Sequence, residues 1–296
     1  TGNKVKCWGY NIHGQLGNGA LINTSMQVDT AQITTATAIS LGGNHSCAQL
    51  SDGSMQCWGE NKSGQIGNGG AVSVSSPEPV LNLIGVQKIA GGEDHTCAII
   101  LPASNKAWCW GSGEFGQVGN GQSGRSLKII QPVESLGLTA STATSTVVDI
   151  TAGGSHTCGI LSDNTMSCWG LNESGQLGTG SSSTIPATIP QTVGGSLTLT
   201  NVKTASAGEN HTCAVLNDGK IKCWGKNDFG QLGSVGSANA TPSLVSGIGT
   251  ETVTAVTTGD THTCVIVTTN GGEVRCWGDN EFGQLGTGTN LKSGTV

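Results

Sequence analysis

Histidine and cysteine recur together along this sequence, and both can carry chemistry. A His-x-Cys triplet is followed, 10 or 12 residues after its cysteine, by the cysteine of a Cys-Trp-Gly triplet. Pairs of thiols form disulfides, and thiols and imidazoles together bind transition metals. In catalysis a thiol can act as the nucleophile and an imidazole as its base. The five His-x-Cys triplets are His45/Cys47, His95/Cys97, His156/Cys158, His211/Cys213 and His262/Cys264.

A turn between the two cysteines favours disulfide chemistry. In CAVLNDGKIKC, an Asp-Gly pair is flanked by alternating apolar residues, which predicts a β-hairpin. Cys213 and Cys223 lie symmetrically about Asp218 and would face one another on adjacent strands. Opposed Cβ atoms are roughly 4.5–5.5 Å apart, which is near enough for a disulfide after modest adjustment. The predicted bridges are Cys47–Cys57, Cys97–Cys109, Cys158–Cys168, Cys213–Cys223 and Cys264–Cys276.

Metal binding and catalysis are the competing interpretations. A zinc site needs four ligands from close pairs, whereas each unit offers one histidine and two cysteines, which leaves room only for a weak transition-metal site. A histidine at the same place in every unit indicates a structural role rather than a general base. No unit carries a Ser/His/Asp set or paired carboxylates of its own. We therefore predict no catalytic residue, no metal and no cofactor, and we do not expect an enzyme.

The second half of each unit is the stretch CWGxNxxGQLGxG, which occurs six times at intervals of 50 to 59 residues. Such a period is typical of a repeat architecture. Its glycines, such as Gly14, predict tight loops with positive φ, and no helical pattern follows to make a phosphate site. Its glutamines are expected to hydrogen-bond backbone groups inside those loops. Its tryptophans are expected to pack between units: Trp8, Trp58, Trp110, Trp169, Trp224 and Trp277.

Composition indicates an exported protein without a nucleic-acid partner. The chain has 13 basic and 19 acidic residues among 296, and no basic face of the kind that binds nucleic acid is visible. No segment approaches 18 consecutive apolar residues, so no membrane insertion is predicted. Persistent disulfides require an oxidising compartment, which predicts an extracellular or cell-surface location.

Each full unit offers four short strands, around P-x-x-V, V-x-x-I-x-A-G, H-T-C-A-L and V-K-C-W-G. Four-stranded sheets repeated radially make a β-propeller. A linear β-solenoid is the alternative, but its repeats are typically shorter, about 20–30 residues. The expected fold is an all-β propeller with intra-blade disulfides.

The pattern A-G-x-x-H-T-x-A-L followed by D-G-x-V-x-x-W-G-x-N-x-x-G-Q-L-G-x-G resembles the regulator of chromosome condensation repeat family. The resemblance covers essentially the whole chain and implies a β-propeller, often of seven blades. The paired cysteines are similar to those of exported bacterial members. The family's guanine nucleotide exchange is not expected here, because no exchange loop can be matched and disulfides point outside the cytosol.

The two ends of the chain hold incomplete units. The first Cys-Trp-Gly, at Cys7, has no His-x-Cys half, so Cys7 is unpaired or bonded between molecules. We expect one domain, 1–296, with six to seven blades: a split blade that joins 1–19 with 287–296, and five full repeats. The repeats are approximately 20–69, 70–121, 122–180, 181–235 and 236–288.

The expected function is that of a structural or adhesive extracellular scaffold. An open sheet edge in the split blade is a template for pairing with another chain, which predicts head-to-tail self-assembly into filaments. The alternative is a monomeric module that recognises a protein or a glycan through variable loops on one face, such as the Thr/Ser-rich insertion 136–148. The partner in either case is a protein, including other copies of the chain, or a glycan.

Overall fold

The chain folds into an all-β propeller whose small antiparallel sheets stand side by side around a central channel. The computed structural model describes residues 3–100, 106–136, 146–234, 236–268, 272–294 and 296. Apart from one 3₁₀ turn at Ser246–Ile248, the regular structure of these residues is β-strand.

Four blades have four strands each, arranged from the channel outwards in chain order. The first is β3 (Ala36–Leu41), β4 (His45–Leu50), β5 (Met55–Gly59) and β6 (Val74–Pro79). The second is β7 (Val86–Gly91), β8 (His95–Ile100), β9 (Lys106–Ser112) and β10 (Lys128–Glu134). The third is β11 (Val147–Ala152), β12 (His156–Leu161), β13 (Met166–Asn172) and β14 (Ser183–Thr192). The fourth is β15 (Val202–Ala207), β16 (His211–Leu216), β17 (Ile221–Gly225) and β18 (Asn239–Leu244).

Two further sheets complete the described structure. The fifth blade contains β19 (Val253–Thr258), β20 (His262–Val267) and β21 (Glu273–Gly278), and a single antiparallel bridge from Gly278 to Ser293 marks its fourth position. The N-terminal ribbon, as we call the first sheet, consists of β1 (Lys6–Gly9) and β2 (Thr24–Asp29).

The central hairpin of each blade follows from its turn. In the fourth blade the Asp218 carboxylate accepts the backbone N–H of Lys220, and Gly219 has a φ of +80°. This tight reversal places Cys213 directly opposite Cys223, with His211 opposite Gly225. Strand β16 is buried along most of its length because blades pack on both of its faces.

The sheets are offset from the repeats of the sequence. The P-x-x-V strand that opens a sequence unit forms the outer edge of the preceding blade; β6, for example, pairs with β5, whereas the next strand begins a new blade at Val86. The connection after Cys-Trp-Gly causes this offset. It first contacts the neighbouring blade and then returns to its own, as when Gly69 N–H donates to the Ile130 carbonyl.

The described residues build five blades, and the expected count of six to seven blades is not supported. Residues 1–19 and 287–296 do not join in a split blade in the part of the chain that the structure describes. Strand β1 pairs with β2, while Ser293 pairs with Gly278 and Val296 packs against the core beside the fifth blade. The reason is again the returning connection, which brings the final residues back to the outer edge of their own blade.

The hydrophobic core is divided into clusters that lie between neighbouring blades. In four of the five clusters the disulfide of one blade and the tryptophan of the next are both present, and in the remaining cluster Trp58 packs with the free Cys7 of the N-terminal ribbon. Cys47 and Cys57 share a cluster with Trp110, and Cys213 and Cys223 share one with Trp277. A blade is therefore stabilised by the neighbour that covers its disulfide.

Candidate functional site

The central channel is the cavity to which all five blades contribute. Its volume is about 810 Å³, and its walls are the ends of the innermost strands together with the loops that lead into each His-x-Cys strand. Backbone hydrogen bonds join these loops from blade to blade, for example from Glu209 N–H to the Asp260 carbonyl. Among the described residues these bonds connect the channel loops in order from the first blade to the fifth.

Glycine in these loops allows the close approach of the blades. A Cβ atom on Gly92 would overlap both the His95 ring and the Gly153 carbonyl of the next blade. The family pattern A-G-x-x-H therefore requires its glycine for packing.

Three carboxylates make the channel acidic. Glu93, Glu209 and Asp260 occupy the same loop position in three different blades and all line the cavity. Burial raises the pKa of Glu93, and the negative charges of Asp94, Glu209 and Asp260 raise it further. Burial, followed by the Glu60 carboxylate, also raises the pKa of Asp94. Mutual repulsion of this kind stores electrostatic free energy that a cation releases.

The repeated histidines link adjacent blades beneath the channel wall. His95 Nε2 lies 2.8 Å from Thr157 Oγ1 of the next blade, and that hydroxyl donates to the Gln117 carbonyl. Because a hydroxyl has one proton to give, the histidine must donate through Nε2–H, and its Nδ1 is unprotonated. The same chain of bonds occurs at His45, His156 and His211.

Burial keeps these histidines neutral. It lowers the pKa of His45 and His156 to about 4 and the pKa of His95 and His211 to about 3. Their Nδ1 atoms are buried without a hydrogen-bond partner. His262 is half-buried; desolvation lowers its pKa, and Asp260 and Asp279 oppose that effect. A buried neutral imidazole fixed by a threonine serves to join blades.

The glutamine of each GQLG loop is a hub between blades. Its side-chain oxygen accepts the backbone N–H two residues earlier, as in Ser63 to Gln65. Its backbone carbonyl accepts hydrogen bonds from the next blade. Trp110 Nε1–H and the Thr96 hydroxyl both donate to the Gln65 carbonyl, at 2.9 and 2.8 Å. The expected bonds within the loop are present, but the interblade role of the carbonyl was not foreseen.

An asparagine in the same loop was missed by sequence reasoning. Asn61 is fully buried; its side-chain oxygen accepts Ile66 N–H, and its amide group donates to the Gly70 and Val72 carbonyls. The signal was available, because asparagine stands at this position in five of the six CWGxN stretches. It fixes the loop that carries the glutamine.

The ten paired cysteines all lie in disulfides across their hairpins, with Cα atoms 4.1 Å apart.

Among the described residues, no group of three or more histidine, cysteine, aspartate or glutamate side chains could hold a metal ion. In that part of the chain no helix is long and apolar enough to cross a membrane. Most of the insertion 136–148, namely 137–145, lies outside the described residues.

The two ends of the blade series break the pattern. Trp8 is 63% exposed, while the other five repeat tryptophans are at most 1% exposed, so the expectation that Trp8 packs between blades was wrong. The physical reason is that no described blade precedes it. Cys7 is half-buried and carries no disulfide. At the other end, Phe282 is 85% exposed, and no described residue donates to the Gln284 carbonyl.

Comparison with known proteins agrees with this architecture. The family model of the RCC1-like domain matches residues 1–295 of this chain. The chain is 33% identical over 185 residues to the human E3 ubiquitin-protein ligase HERC2, covering 61% of this chain and 4% of the ligase. It is 32% identical over 188 residues to the ultraviolet-B receptor UVR8 of Arabidopsis thaliana, covering 62% of this chain and 39% of the receptor. The chain therefore spans a minor part of these relatives.

Solved structures show the same fold. Yeast RCC1 (Prp20), in a crystal structure bound to Kap60, superposes with a TM-score of 0.81 at 22% identity, covering 99% of this chain and 70% of that one. Human WBSCR16 superposes with a TM-score of 0.80 at 20% identity, covering 96% and 74%. With the repeat motif, the blade structure and the match over 1–295 together, the chain belongs to the RCC1-like domain family.

Proposed function

We propose that this propeller is an exported protein-binding scaffold, and that its central channel binds a basic segment of a partner protein. The observation that carries the proposal is the acidic channel lined by Glu93, Glu209 and Asp260. A cleft lined by one sign of charge concentrates the field of its groups and attracts the opposite charge. Lysine and arginine side chains would pair with these carboxylates and relieve the repulsion that raises the pKa of Glu93.

The family supports protein binding in general terms. One structure of yeast RCC1 holds Kap60, and another study of Prp20p concerns its binding to Gsp1p and histones. Export is supported by the five disulfides, because disulfides persist in oxidising compartments and are rare in the cytosol. A cytosolic location with the ten cysteines reduced would contradict export.

Neutralising the channel tests the proposed binding. The triple variant Glu93→Gln/Glu209→Gln/Asp260→Asn should weaken binding of a Lys/Arg-rich peptide at least about tenfold, since three charge-assisted contacts are lost. Binding to the unchanged protein should also weaken as salt rises from about 0.05 to 0.5 M, because salt screens exposed charges. Isothermal titration calorimetry measures both effects.

A matched control has the same change of charge at the opposite end of the strands. Asp52, Asp163 and Asp218 lie in the hairpin turns, far along the strands from the channel loops. The variant Asp52→Asn/Asp163→Asn/Asp218→Asn should bind the peptide as the unchanged protein does. Equal weakening by both triple variants would show that only net charge matters and would refute a channel site.

Head-to-tail self-assembly into a structural or adhesive filament is a second candidate function, favoured by the two ends. In five contacts between sheets, a tryptophan Nε1–H donates to the glutamine carbonyl of the preceding loop. Trp8 and Gln284 are the donor and the acceptor of this kind that remain at opposite ends of the described structure. A heterologous contact that does not close generates filaments.

Light scattering and electron microscopy of the unreduced protein test this assembly. We expect polymers that Trp8→Ala abolishes and that Ile185→Ala, at another exposed apolar residue, leaves unchanged. Monomers of 29.8 kDa at high protein concentration would exclude self-assembly.

A further inference from the structure

The inner edge of β1 is a strand edge to which no described residue is paired. Strand β1 pairs on its outer side with β2, where Cys7 stands opposite Val28. In the complete blades the corresponding strand has partners on both sides; β17, for example, lies between β16 and β18. An unpaired row of backbone N–H and C=O groups is a template for a further strand.

The chain itself shows five times what covers such an edge. In every blade the Cys-Trp-Gly strand pairs on its inner side with a His-x-Cys strand, antiparallel and in one register. That register sets cysteine opposite cysteine and tryptophan opposite the serine or threonine between histidine and cysteine. In the third blade these pairs are Cys158 with Cys168 and Thr157 with Trp169.

Two side chains of β1 lack the partners that this register supplies. Cys7 is the free cysteine of the described chain, whereas its five counterparts are all in disulfides. Trp8 has no described strand residue opposite it on the inner side of β1, whereas Trp58 lies opposite Ser46. Trp58 and Ser46 both donate to the Gln15 carbonyl. A single His-x-Cys strand would therefore supply the missing partner of the backbone edge, of the Cys7 thiol and of the Trp8 indole.

We propose that the inner edge of β1 takes an antiparallel β-strand of the pattern His-[Ser/Thr]-Cys from a further repeat of this type, and that Cys7 forms a disulfide with its cysteine. A complete second copy cannot supply this strand, because its five His-x-Cys cysteines are already bonded. The inference goes beyond channel binding and does not depend on head-to-tail assembly.

Formation of the bond is a two-electron oxidation. Two thiols lose two protons and two electrons and become one disulfide, and a dithiol–disulfide exchange oxidant of the export compartment is reduced to its dithiol form. The proposal therefore requires the same class of oxidant as the five bridges that the structure contains.

A peptide from the chain itself tests the proposal. The peptide of residues 202–216, VKTASAGENHTCAVL, holds an inner strand and a His-x-Cys strand. It is added to the full 296-residue protein in glutathione redox buffer as its mixed disulfide with glutathione. The Cys7 thiolate then attacks the sulfur of the peptide cysteine, glutathione leaves as its thiolate, and mass spectrometry counts the protein–peptide adduct at equilibrium.

The matched control is the same peptide with Thr212→Cys and Cys213→Thr. A one-residue shift sends the cysteine side chain to the opposite face of the strand, while composition and thiol content stay the same. We expect at least about ten times more adduct with the native order, no adduct with the protein variant Cys7→Ser, and a blue shift of Trp8 fluorescence on addition of the native-order peptide. Equal yields from the two peptides, or a Cys7–Cys7 dimer in place of the adduct, would overturn the proposal.

Discussion

Acidification from pH 7 to pH 5 should lower the free energy of unfolding by on the order of 8 kcal/mol through the four buried histidines. Their pKa lies at about 3 to 4 in the folded protein, well below the ordinary value of 6.5. Below pH 6.5 the unfolded chain takes up protons that the folded chain cannot, so stability falls with pH. Each histidine contributes about 2 kcal/mol at pH 5, and the loss continues down to about pH 4 for His45 and His156 and to about pH 3 for His95 and His211.

The carboxyl groups of the channel act in the opposite direction. Glu93 and Asp94 have raised pKa values, so the folded protein takes up protons more readily than the unfolded chain at these two groups. They add stability as the pH falls through their raised pKa values. Two such groups, Glu93 on the channel wall and its neighbour Asp94, offset only part of the effect of four buried histidines.

Urea unfolding followed by tryptophan fluorescence at pH 7, 6 and 5 measures this loss. With four sites, the logarithm of the unfolding constant should change by close to four per pH unit near pH 5. In the variant His211→Gln, which has one titrating side chain fewer, the slope should drop to about three, whatever the substitution costs at pH 7. An unchanged free energy of unfolding between pH 7 and pH 5 would show that the histidines are not held neutral.

Reduction of the five disulfides should lower the free energy of unfolding by on the order of 10 kcal/mol. Each bridge closes a short loop, because its two cysteines are 10 or 12 positions apart in sequence. The chain-entropy estimate for a loop of this length is about 2–3 kcal/mol, because the bridge restricts the unfolded chain. The five loops do not overlap, so their effects should be nearly additive. Urea unfolding with and without phosphine reductant gives the difference.

The order of reduction should reflect the open end of the blade series. Cys264 and Cys276 are half-buried, because no described blade covers the fifth disulfide, whereas Cys158 and Cys168 are fully buried under Trp224 of the next blade. Partial reduction of the native protein, followed by thiol alkylation and peptide mapping, should therefore label Cys264 and Cys276 first. Equal labelling of Cys158 and Cys168 at early times would contradict this order.

Much of the blade was predictable because its information is local. The Asp-Gly turn and the alternation of apolar residues set the hairpin register, and the register places Cys213 opposite Cys223. The same local pattern, repeated at a regular period, indicated the propeller and the family. A short hairpin offers few alternative registers, since a slip of one residue turns every side chain to the wrong face.

The contacts between blades were harder to predict because they join residues far apart in sequence, 62 positions for His95 and Thr157 and 45 for Trp110 and Gln65. The bond of His95 to Thr157 and that of Trp110 to the Gln65 carbonyl depend on how one blade stands against the next. Periodicity indicated that these residues were structural, but could not name their partners. The acidic channel was also hidden, because Glu93, Glu209 and Asp260 are far apart in sequence and only the packing of blade against blade brings them together.

The sequence by itself thus determined the repeat, the strands, the cysteine pairs and the family, all of which rest on residues within a single unit. Only the tertiary structure decided that the first strand of each unit joins the preceding blade, that the described residues form five blades, and that Trp8 is exposed. The physical reason is that identical units contain identical local signals, whereas an end differs from the middle only through the neighbour it lacks. A repeat pattern specifies the same contacts for every blade, and the tertiary structure shows which of those contacts form.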